Sequence, residues 1–290
     1  MLPVPLLKRK LLALLKEDLR FGDVSSQVIP RDQVCSAEII CKRGGIIAGL
    51  LETQLLFETM GVEVNISVQD GMEVQKGTII VTLQGLARNI LCVERTALNI
   101  LHRMSAIATT TRKALNIARK VNPRVHIAAT RKTTPGFRMF EKRAVILGGG
   151  DPHRWTLDDM VLLKDTHKAI FGGNITRMVQ IARENTSFTK KIEVEVENLT
   201  EAVSAARAGA DIIMFDNMTP EDISKALNEL TRQNLRNNHI FEASGGLSFD
   251  TLAHYAATGI DVLSMGAITM YPSERVDLSL EIKLDVKPTP

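Results

Sequence analysis

The amino-acid sequence predicts an α/β protein with an open, incomplete α/β barrel that follows an N-terminal α+β sandwich-like domain. Two observations indicate this fold class. Beyond residue 121, short runs of β-type apolar residues alternate with segments of helical periodicity, which is typical of a parallel sheet with crossover helices. Between about residue 34 and residue 84, strand patterns separated by glycine-containing turns predominate, which indicates a smaller α+β unit.

The N-terminal part begins with a predicted helix. MLPVPLLKRKLLALLKEDL carries charges inside its apolar run and lacks a small-residue cleavage site, which indicates an amphipathic helix rather than a signal peptide. VEVNISV, residues 62–68, alternates strictly, and DGMEVQKGTIIVTLQG is typical of turn, strand, turn and strand. Residues 88–120 have apolar side chains three and four apart, which predicts a helix. No run of about 18 apolar residues occurs, so we expect no membrane span.

The C-terminal part contains six β-type runs, with helical segments in most of the gaps between them. The runs are VHIAA (125–129), MVLL (160–163), KIEVEV (191–196), DIIMF (211–215), HIFEA (239–243) and DVLSM (261–265). Capping residues predict helix starts at Asn174, Thr200 and Thr219, the last followed by proline. Because six units are fewer than the eight of a complete barrel, we expect an open barrel that extra strands or a partner would close.

These patterns divide the chain into two expected domains. Residues 1–105, joined by the C-terminal segment 271–290, form the N-terminal α+β domain. Residues 106–270 form the α/β barrel.

Charge and composition argue against several classes of protein. The 36 Lys and Arg residues against 33 Asp and Glu give a net charge of +3, too balanced for a surface that mainly binds nucleic acid. Cys35, Cys41 and Cys92 are an odd and sparse set, which argues against a disulfide framework and indicates a reducing compartment, the cytoplasm. A P-loop and a G-x-G-x-x-G pattern are both missing, so neither a nucleoside triphosphate nor a dinucleotide is indicated.

Basic residues concentrate in one segment, 131–154, which begins inside the stretch ATRKTTPGFR. Its six basic side chains outnumber two acids, so an anion is the expected ligand. The basic residues are Arg131, Lys132, Arg138, Lys142, Arg143 and Arg154, with His153 beside them. Arg154 follows a triple-glycine loop, and its planar guanidinium suits two-pronged binding of a carboxylate. For His167 a structural role and a functional role are equally open.

Polar, charged or glycine residues follow every predicted strand, at the carboxyl end where parallel architectures place their sites. They are Thr130–Lys132, Lys164 and Asp165, Glu195 and Glu197, Asp216 and Asn217, Ser244–Gly246, and Gly266. The carboxylates of Glu195 and Asp216 suit a divalent cation or sugar hydroxyls. Ser244, Gly245 and Gly246, just before a predicted helix, suit a phosphate. Together these residues predict a site for a phosphorylated ribose.

Several separated motifs resemble those of the quinolinate phosphoribosyltransferase family, whose members are also called carboxylating nicotinate-nucleotide pyrophosphorylases. The motifs are TRKTTPGFR, EKRAV, GGG, HR, LLKDTH, EVEVENL, MFDNM and SGGL, with EDLRFGDVSS and ERTALNILHRMSAIAT upstream. The resemblance covers nearly the whole chain in the right order. It implies a pentosyltransferase of NAD biosynthesis that converts quinolinate and phosphoribosyl pyrophosphate to nicotinate mononucleotide, pyrophosphate and carbon dioxide, with Mg²⁺. It also implies a barrel that carries out the phosphoribosyl transfer.

The resemblance further implies a homodimer, possibly arranged into a hexamer, in which each active site uses a residue of the neighbouring subunit. By motif position that residue is Arg95. Arg131, His153 and Arg154 would hold the two carboxylates of quinolinate.

The remaining site residues follow from the same motif positions. Lys132 and Lys164 would act at the anionic groups of the substrates. Glu195 and Asp216 would bind the ribose hydroxyls and Mg²⁺, directly or through water and substrate, and would take part in catalysis with the two lysines. The 5′-phosphate would lie at Ser244, Gly245, Gly246 and Gly266.

One departure and two alternatives remain. Thr166 occupies a position where the family pattern leads us to expect asparagine, which bears on the choice of acceptor. The first alternative is a related phosphoribosyltransferase of the same scaffold, such as the molybdenum-operon relative, that acts on nicotinate or another acceptor. The second is a non-enzymatic anion- or RNA-binding module, which the few interleaved aromatic residues argue against. We expect no nucleic-acid partner.

Overall fold

The computed structural model of the protein describes residues 3–283. Two compact units are present. One contains the residues up to Thr110, the segment Ile146–Gly149 and the residues from Pro272 onward. The other contains Thr111–Val145 and Gly150–Tyr271. The expected domain limits of 105 and 271 lie a few residues from these boundaries, and residues 1–2 and 284–290 of the first expected domain lie outside the described part.

The first part of the chain contains three helices and five strands. They are α1 (Val4–Asp18), β1 (Val34–Arg43), β2 (Gly45–Ile46), α2 (Leu50–Thr59), β3 (Glu63–Ile66), β4 (Glu73–Val74), β5 (Ile79–Leu86) and α3 (Ala87–Arg119), with a 3-10 turn at Ser25–Val28. The predicted first helix and the predicted helix over 88–120 are therefore present. Within residues 3–283, no helix is both long enough and apolar enough to cross a bilayer.

The second part of the chain alternates strands and helices. Its elements are β6 (His126–Ala128), α4 (Arg138–Leu147), β7 (Val161–Leu163), α5 (Asp165–Ile170), α6 (Ile175–Asn185), β8 (Ile192–Val196), α7 (Leu199–Arg207), β9 (Ile212–Asp216), α8 (Pro220–Arg232), β10 (Ile240–Ser244), α9 (Leu252–Ala257), β11 (Val262–Ser264), α10 (Ala267–Met270) and β12 (Asp277–Lys283), with a 3-10 turn at Arg236–Asn238. All six predicted β-type runs are strands.

The first unit contains an antiparallel sheet of order β12-β1-β5-β3 and the small pair β2-β4. In β1 every second residue from Cys35 to Cys41 is buried, so one face of the sheet packs on the core. All three cysteines are free. Burial raises the pKa of the Cys35 and Cys41 thiols, which keeps both side chains protonated and unreactive.

The second unit contains six parallel strands in the order β6-β11-β10-β9-β8-β7. Residues in β8, β9 and β10 are buried on both faces of the sheet. This is expected when helices cover one face and the other face forms the interior of a barrel. The prediction of an α/β protein, in which a parallel α/β part follows a separate N-terminal α+β domain, is confirmed, and the sheet of the N-terminal domain is antiparallel.

Two of the three predicted helix caps are present. Asn174 Oδ1 accepts a hydrogen bond from the Arg177 N–H, and Thr219 Oγ1 accepts one from the Asp222 N–H. The third prediction, Thr200, is wrong by two residues. Asn198 caps α7 by accepting from the Glu201 N–H at 2.9 Å, and Thr200 already lies inside the helix.

Candidate active site

A cavity of about 520 Å³ opens at the carboxyl ends of the parallel strands. Every strand of the sheet, or the segment directly after it, contributes to the lining. The lining residues are Thr130, Arg131, Lys132, His153, Arg154, Leu162, Lys164, Glu195, Met214, Asp216, Asn217, Glu242, Ser244, Gly245, Gly246 and Ser264. Since β6 and β7 form opposite edges of the sheet and both contribute residues, the sheet curls around the cavity as an open barrel.

Most of the site residues predicted from the sequence meet at this cavity. They are Arg131, Lys132, His153, Arg154, Lys164, Glu195, Asp216, Ser244, Gly245 and Gly246. Gly266 does not line it; a Cβ there would lie 3.0 Å from Lys132 Cδ, so this glycine leaves room for the lysine stem. Arg95 is an exposed residue of the first unit and is not among the lining residues.

The sequence prediction missed an inner layer of residues. Leu162, Met214, Glu242 and Ser264 each lie two positions before a predicted strand-end residue, and all four line the cavity. Side chains alternate between the faces of a strand, so a residue two positions before an inward-facing one also faces inward. Strand alternation is therefore the signal that could have found them.

Two arginines on the cavity wall form no ion pair within residues 3–283. Arg131 follows β6, and Arg154 lies in the loop before β7 and is only 8% exposed. In the described part of the chain neither guanidinium group forms an ion pair, and Arg131 Nε is buried without a hydrogen-bond acceptor. Burial lowers the pKa of Arg154 and repulsion from Arg131 lowers it further, although the charges of Glu193, Glu195 and Asp159 partly oppose the shift. A bound anion would relieve this repulsion.

Lys142, in contrast, serves the backbone. It is fully buried on α4, and its Nζ donates to the carbonyl oxygens of Ala129 at 3.2 Å, Arg154 at 2.9 Å and Pro152. Burial, followed by repulsion from Arg138, lowers the pKa of Lys142 to about 8. The lysine therefore ties the end of β6 to the loop that carries Arg154.

Two further residues of α4 hold the segment after β6. The Glu141 carboxylate accepts hydrogen bonds from the Thr134 N–H and hydroxyl at 3.0 and 2.9 Å. Arg138 donates to Thr133 Oγ1 and to the Trp155 carbonyl. The basic segment 131–154 thus contains two kinds of residue, some that line the cavity and others that brace its wall.

The opposite wall is acidic. Glu195 on β8 and Asp216 at the end of β9 both line the cavity, and Lys164 Nζ lies 3.8 Å from Glu195 Oε1. Burial raises the pKa of Glu195 and the charge of Asp216 adds to the rise, although Lys164 opposes it. Both side chains present oxygen donors toward one space, which is the arrangement that binds ribose hydroxyls or a hard cation.

A glycine turn follows β10 at the third side of the cavity. Gly245 and Gly246 have φ of +88° and +63°, a region that favours glycine. Within residues 3–283 the N–H groups of these two glycines have no hydrogen-bond partner, so both can donate to an anion. The expected helix directly behind them is not there, because α9 begins only at Leu252. The turn itself therefore supplies the anion donors.

His153 lies between two buried carboxylates. Its Nε2 is 3.3 Å from Glu193 Oε2 and 3.2 Å from Glu242 Oε2, and its Nδ1 accepts the Arg154 N–H at 2.8 Å. Burial disfavours the charged ring, but the two carboxylates outweigh it and raise the pKa of His153 to about 10. Burial and the charge of Glu242 raise the pKa of Glu193 to about 7. The three groups titrate as one cluster, and because Nδ1 accepts the Arg154 N–H, the ring proton lies on Nε2 and faces the two carboxylates.

Thr166 and His167 lie outside the cavity lining. Thr166 is exposed on α5, and its N–H donates to Asp165 Oδ1. His167 Nδ1 accepts from the Lys164 N–H at 3.0 Å, so this ring supports the start of α5 beside Lys164. The departure at Thr166 accordingly does not alter the cavity wall.

The whole chain is similar to one family of enzymes. The family model described as "Quinolinate phosphoribosyl transferase, C-terminal domain" matches residues 107–281, and the corresponding N-terminal domain model matches residues 23–105. The probable carboxylating nicotinate-nucleotide pyrophosphorylase of Methanothermobacter thermautotrophicus is 47% identical over 271 residues, which cover 93% of this chain and 96% of the relative. The human carboxylating nicotinate-nucleotide pyrophosphorylase is 36% identical over 88% of this chain and 84% of its own.

Solved structures show the same similarity. The nicotinate-nucleotide pyrophosphorylase of Francisella tularensis superposes with a TM-score of 0.90 at 33% identity, covering 98% of both chains. A human nicotinic acid phosphoribosyltransferase superposes with a TM-score of 0.60 at 12% identity over 95% of this chain and 73% of its own, a similarity of fold alone.

Proposed function

The chain belongs to the quinolinate phosphoribosyltransferase family, and we propose that its barrel cavity brings quinolinate and phosphoribosyl pyrophosphate together. It is an enzyme, a pentosyltransferase that releases carbon dioxide from quinolinate. Its products are nicotinate mononucleotide, pyrophosphate and carbon dioxide, and the reaction belongs to NAD biosynthesis. The roles of the individual residues in this cavity are what we propose.

The assignment of the acceptor subsite rests on two arginines, Arg131 and Arg154. Quinolinate has two carboxylates, and Arg131 and Arg154 line the cavity without an ion pair to any residue in the described part of the chain. A guanidinium can bind a carboxylate with two parallel hydrogen bonds, which a lysine cannot do. Binding the dianion between these arginines pairs a buried cation, Arg154, and a half-buried one, Arg131, which repel each other in its absence.

The donor subsite lies at the glycine turn and the acidic wall. The free N–H groups of Gly245 and Gly246, with Ser244, take the 5′-phosphate. Glu195 and Asp216 bind the ribose hydroxyls. Lys132 and Lys164 neutralise the pyrophosphate and lower the cost of bringing two polyanions into one pocket.

Magnesium fits the acidic wall. Glu195 and Asp216 are oxygen donors, the class that Mg²⁺ prefers. Burial and, to a smaller degree, the charge of Asp216 raise the pKa of Glu195, and a cation between the two side chains would favour the charged carboxylate. When bound, Mg²⁺ would offset negative charge on the substrates. These two carboxylates are the residues that we propose to hold it, directly or through water and substrate.

The chemistry then depends on where charge develops. As pyrophosphate leaves, positive charge builds at the anomeric carbon, and the carboxylates of Glu195 and Asp216 stabilise it. The ring nitrogen of quinolinate attacks from a position that the arginines have already fixed, so little orientational freedom is lost in the transition state. Once ribosylated, the nitrogen is cationic, and its charge stabilises the electron pair that stays on the neighbouring ring carbon when the adjacent carboxylate departs as carbon dioxide. A proton from solvent then bonds to that carbon and completes nicotinate mononucleotide.

The assembly and the compartment complete the proposal. Arg95 is exposed in the first unit, and by motif position it serves the cavity of a neighbouring subunit in a homodimer, which could pair further into a hexamer. The three free cysteines favour a reducing compartment, the cytoplasm.

The choice of acceptor separates this proposal from a nicotinate-specific relative. Carbon dioxide released from carboxyl-labelled quinolinate, and pyrophosphate released with nicotinate, should be measured side by side with phosphoribosyl pyrophosphate and Mg²⁺. We expect release with quinolinate and none with nicotinate. Turnover of nicotinate without turnover of quinolinate would overturn the proposal.

The arginine subsite has its own test. Arg154→Lys keeps the charge but loses the planar two-pronged contact, so the KM for quinolinate should rise by about 10-fold or more while the KM for phosphoribosyl pyrophosphate changes little. Arg177→Lys, at an exposed position on α6, is the matched control and should leave both constants unchanged. An unchanged KM for quinolinate in Arg154→Lys would contradict the assignment.

A further inference from the structure

A buried polar cluster lies under the acceptor side of the cavity. Glu193 on β8 and Glu242 on β10 are 0% and 2% exposed at the side chain, and His153 is 13% exposed between them. The Ser264 hydroxyl on β11 donates to Glu242 Oε1. Both oxygens of Glu193 lack a hydrogen-bond partner in the described part of the chain. Two buried carboxylates are costly, so their shared contact with one imidazole requires an explanation.

The contact is electrostatic rather than a regular hydrogen bond. His153 Nε2 lies within 3.3 Å of both carboxylates, yet within residues 3–283 it forms no hydrogen bond of regular geometry. The ring is therefore held by attraction to two oxygens from two strands. A single well-aligned acceptor would hold the ring to one strand, whereas two acceptors hold it between β8 and β10.

Both nitrogens of His153 are thereby engaged inside the protein. Nδ1 accepts the Arg154 N–H at 2.8 Å, which leaves the ring proton on Nε2, facing the carboxylates. The backbone of His153 has φ of 51°, which residues other than glycine rarely adopt, and its N–H donates to Asp151 Oδ1 at 2.6 Å. Nδ1 is therefore occupied, and Nε2 faces two carboxylates that would repel the carboxylate of a substrate.

The backbone of Arg154 is consequently held on both sides. Its N–H donates to the His153 ring, and its carbonyl oxygen accepts from Lys142 Nζ at 2.9 Å. Its side chain has no ion-pair partner within residues 3–283 and is free to meet a ligand. The position of the guanidinium therefore depends on the ring, and the ring depends on the two carboxylates.

We propose that Glu193 and Glu242 are positioning residues for the acceptor subsite, which act through His153 to fix the backbone from which Arg154 reaches quinolinate. The inference rests on the proposed function, because it names what the cluster does for that site. It assigns His153 a role other than the direct contact with quinolinate that the family resemblance implies. The ring orients Arg154 and does not itself bind the carboxylate.

A double-mutant cycle tests whether the cluster acts through Arg154. Glu242→Gln keeps the shape and the acceptor for Ser264 but removes the charge that holds the ring. We expect the KM for quinolinate to rise about 10-fold in the wild-type background and less than about 2-fold in the Arg154→Lys background, with the KM for phosphoribosyl pyrophosphate unchanged in both. Effects on the quinolinate KM that multiply independently would overturn the inference.

Matched variants separate positioning from simple destabilisation. Glu52→Gln removes another buried carboxylate, one in the first unit, and should lower the Tm without changing the quinolinate KM. His153→Asn keeps an acceptor near the Nδ1 position and tolerates the left-handed backbone, whereas His153→Leu keeps neither. We therefore expect the quinolinate KM of His153→Asn to lie much closer to that of the wild type. Equal losses in the two variants would contradict the inference.

A spectroscopic measurement is independent of turnover. In protein labelled with ¹⁵N-histidine, the signal that disappears in His153→Asn should show an unprotonated Nδ1 and a protonated Nε2. A protonated Nδ1 would overturn the proposed role of the ring. If the wild-type enzyme fails to release carbon dioxide from quinolinate, the proposed function fails, and the ring measurement still decides how His153 is held.

Discussion

At the scale of single residues, the cavity contains two side chains on backbone that glycine normally occupies. His153 and Asn217 have φ of 51° and 53°. Such conformations cost free energy and persist where surrounding contacts hold them, often at functional sites. Asn217 Nδ2 donates to Asp216 Oδ2 at 3.0 Å, so the strained residue orients a carboxylate that we assign to ribose binding.

Gly245 packs directly against Asn217 and makes this arrangement sensitive to one added carbon. A Cβ at Gly245 would lie 2.3 Å from Asn217 Oδ1 and 2.8 Å from the Asn217 backbone nitrogen, where no real Cβ contact occurs. Gly245→Ala must therefore displace Asn217, and with it Asp216 and the phosphate turn. We expect the KM for phosphoribosyl pyrophosphate to rise by more than about 10-fold, measured by steady-state kinetics.

Gly259→Ala is the matched control for Gly245→Ala. Gly259 has φ of +82°, close to the +88° of Gly245, but a Cβ there meets nothing within 4 Å. Both substitutions carry the strain of alanine in the left-handed region, about 1–2 kcal/mol, and only one carries the collision. An equal rise in KM in the two variants would show that backbone strain, not the contact with Asn217, is responsible.

Residue identities at the cavity rim were predictable because the carboxyl ends of parallel strands can be located from apolar runs. Arg131, Glu195 and Asp216 were found in this way. Glu242 was missed because it lies inside an apolar run, where a charged residue gives no sign of its partners. Its function depends on His153, which is distant in sequence, and only the folded chain brings the two together.

At the scale of elements, α4 is the support of the cationic wall. Each of three side chains holds a segment that comes before or after the helix in sequence: Lys142, Glu141 and Arg138. None of the three lines the cavity. The sequence alone does not separate the basic residues that line the cavity from those that brace its wall, because it gives the charge of each side chain but not its direction. The capping residue of α7 shows the same limit. Asn198 and Thr200 are both residue types that cap helices, and the sequence does not show where the preceding strand ends.

The buried amine of Lys142 predicts a pH dependence of stability. Its pKa is lowered to about 8, whereas an unfolded lysine has a pKa of about 10.4, so between these values the unfolded chain binds more protons. Its contribution to the free energy of unfolding is therefore constant below pH 8 and rises above it. Relative to Lys142→Met, the wild type should gain about 2 kcal/mol between pH 7.5 and 9.5, measured by urea unfolding.

Lys225→Met, at a lysine that is 73% exposed, should show no such gain. A wild-type advantage that stays constant or shrinks between the two pH values would contradict the prediction. The amine can also be titrated directly by ¹³C labelling of the lysine side chains, which applies even where Lys142→Met is too unstable to purify.

At the scale of the whole molecule, the fold class followed from the alternation of strands and helices, and all six parallel strands were placed correctly. Their order in the sheet was not predicted in detail, because hydrogen-bond partners depend on how the helices pack. The assembly is likewise invisible in one chain. Arg95 therefore needs an experiment that involves two chains.

Mixed subunits test whether Arg95 serves a neighbouring cavity. Arg95→Ala and Arg154→Ala should each be inactive alone. In the proposed homodimer, random mixing of the two makes half of the dimers hybrids with one intact cavity, so about a quarter of the wild-type activity should return. The measurement is carbon dioxide release from quinolinate after unfolding and refolding the mixture.

A mixture of Arg131→Ala and Arg154→Ala is the control, because both substitutions damage the same barrel and no hybrid has an intact cavity. It should remain inactive. Recovery in this mixture, or failure to recover in the first, would show that Arg95 does not complete the site of its neighbour.

The curl of the sheet separates the two substrates along the chain. The arginines assigned to the acceptor come from the stretch after β6 and the loop before β7, whereas the residues assigned to the sugar phosphate come from β8 to β10. A gene could therefore exchange the first block by recombination and acquire a new aromatic acceptor, provided that Lys132 and Lys164, which we assign to the pyrophosphate, are kept. Diversification of this scaffold should accordingly be concentrated between residues 131 and 164.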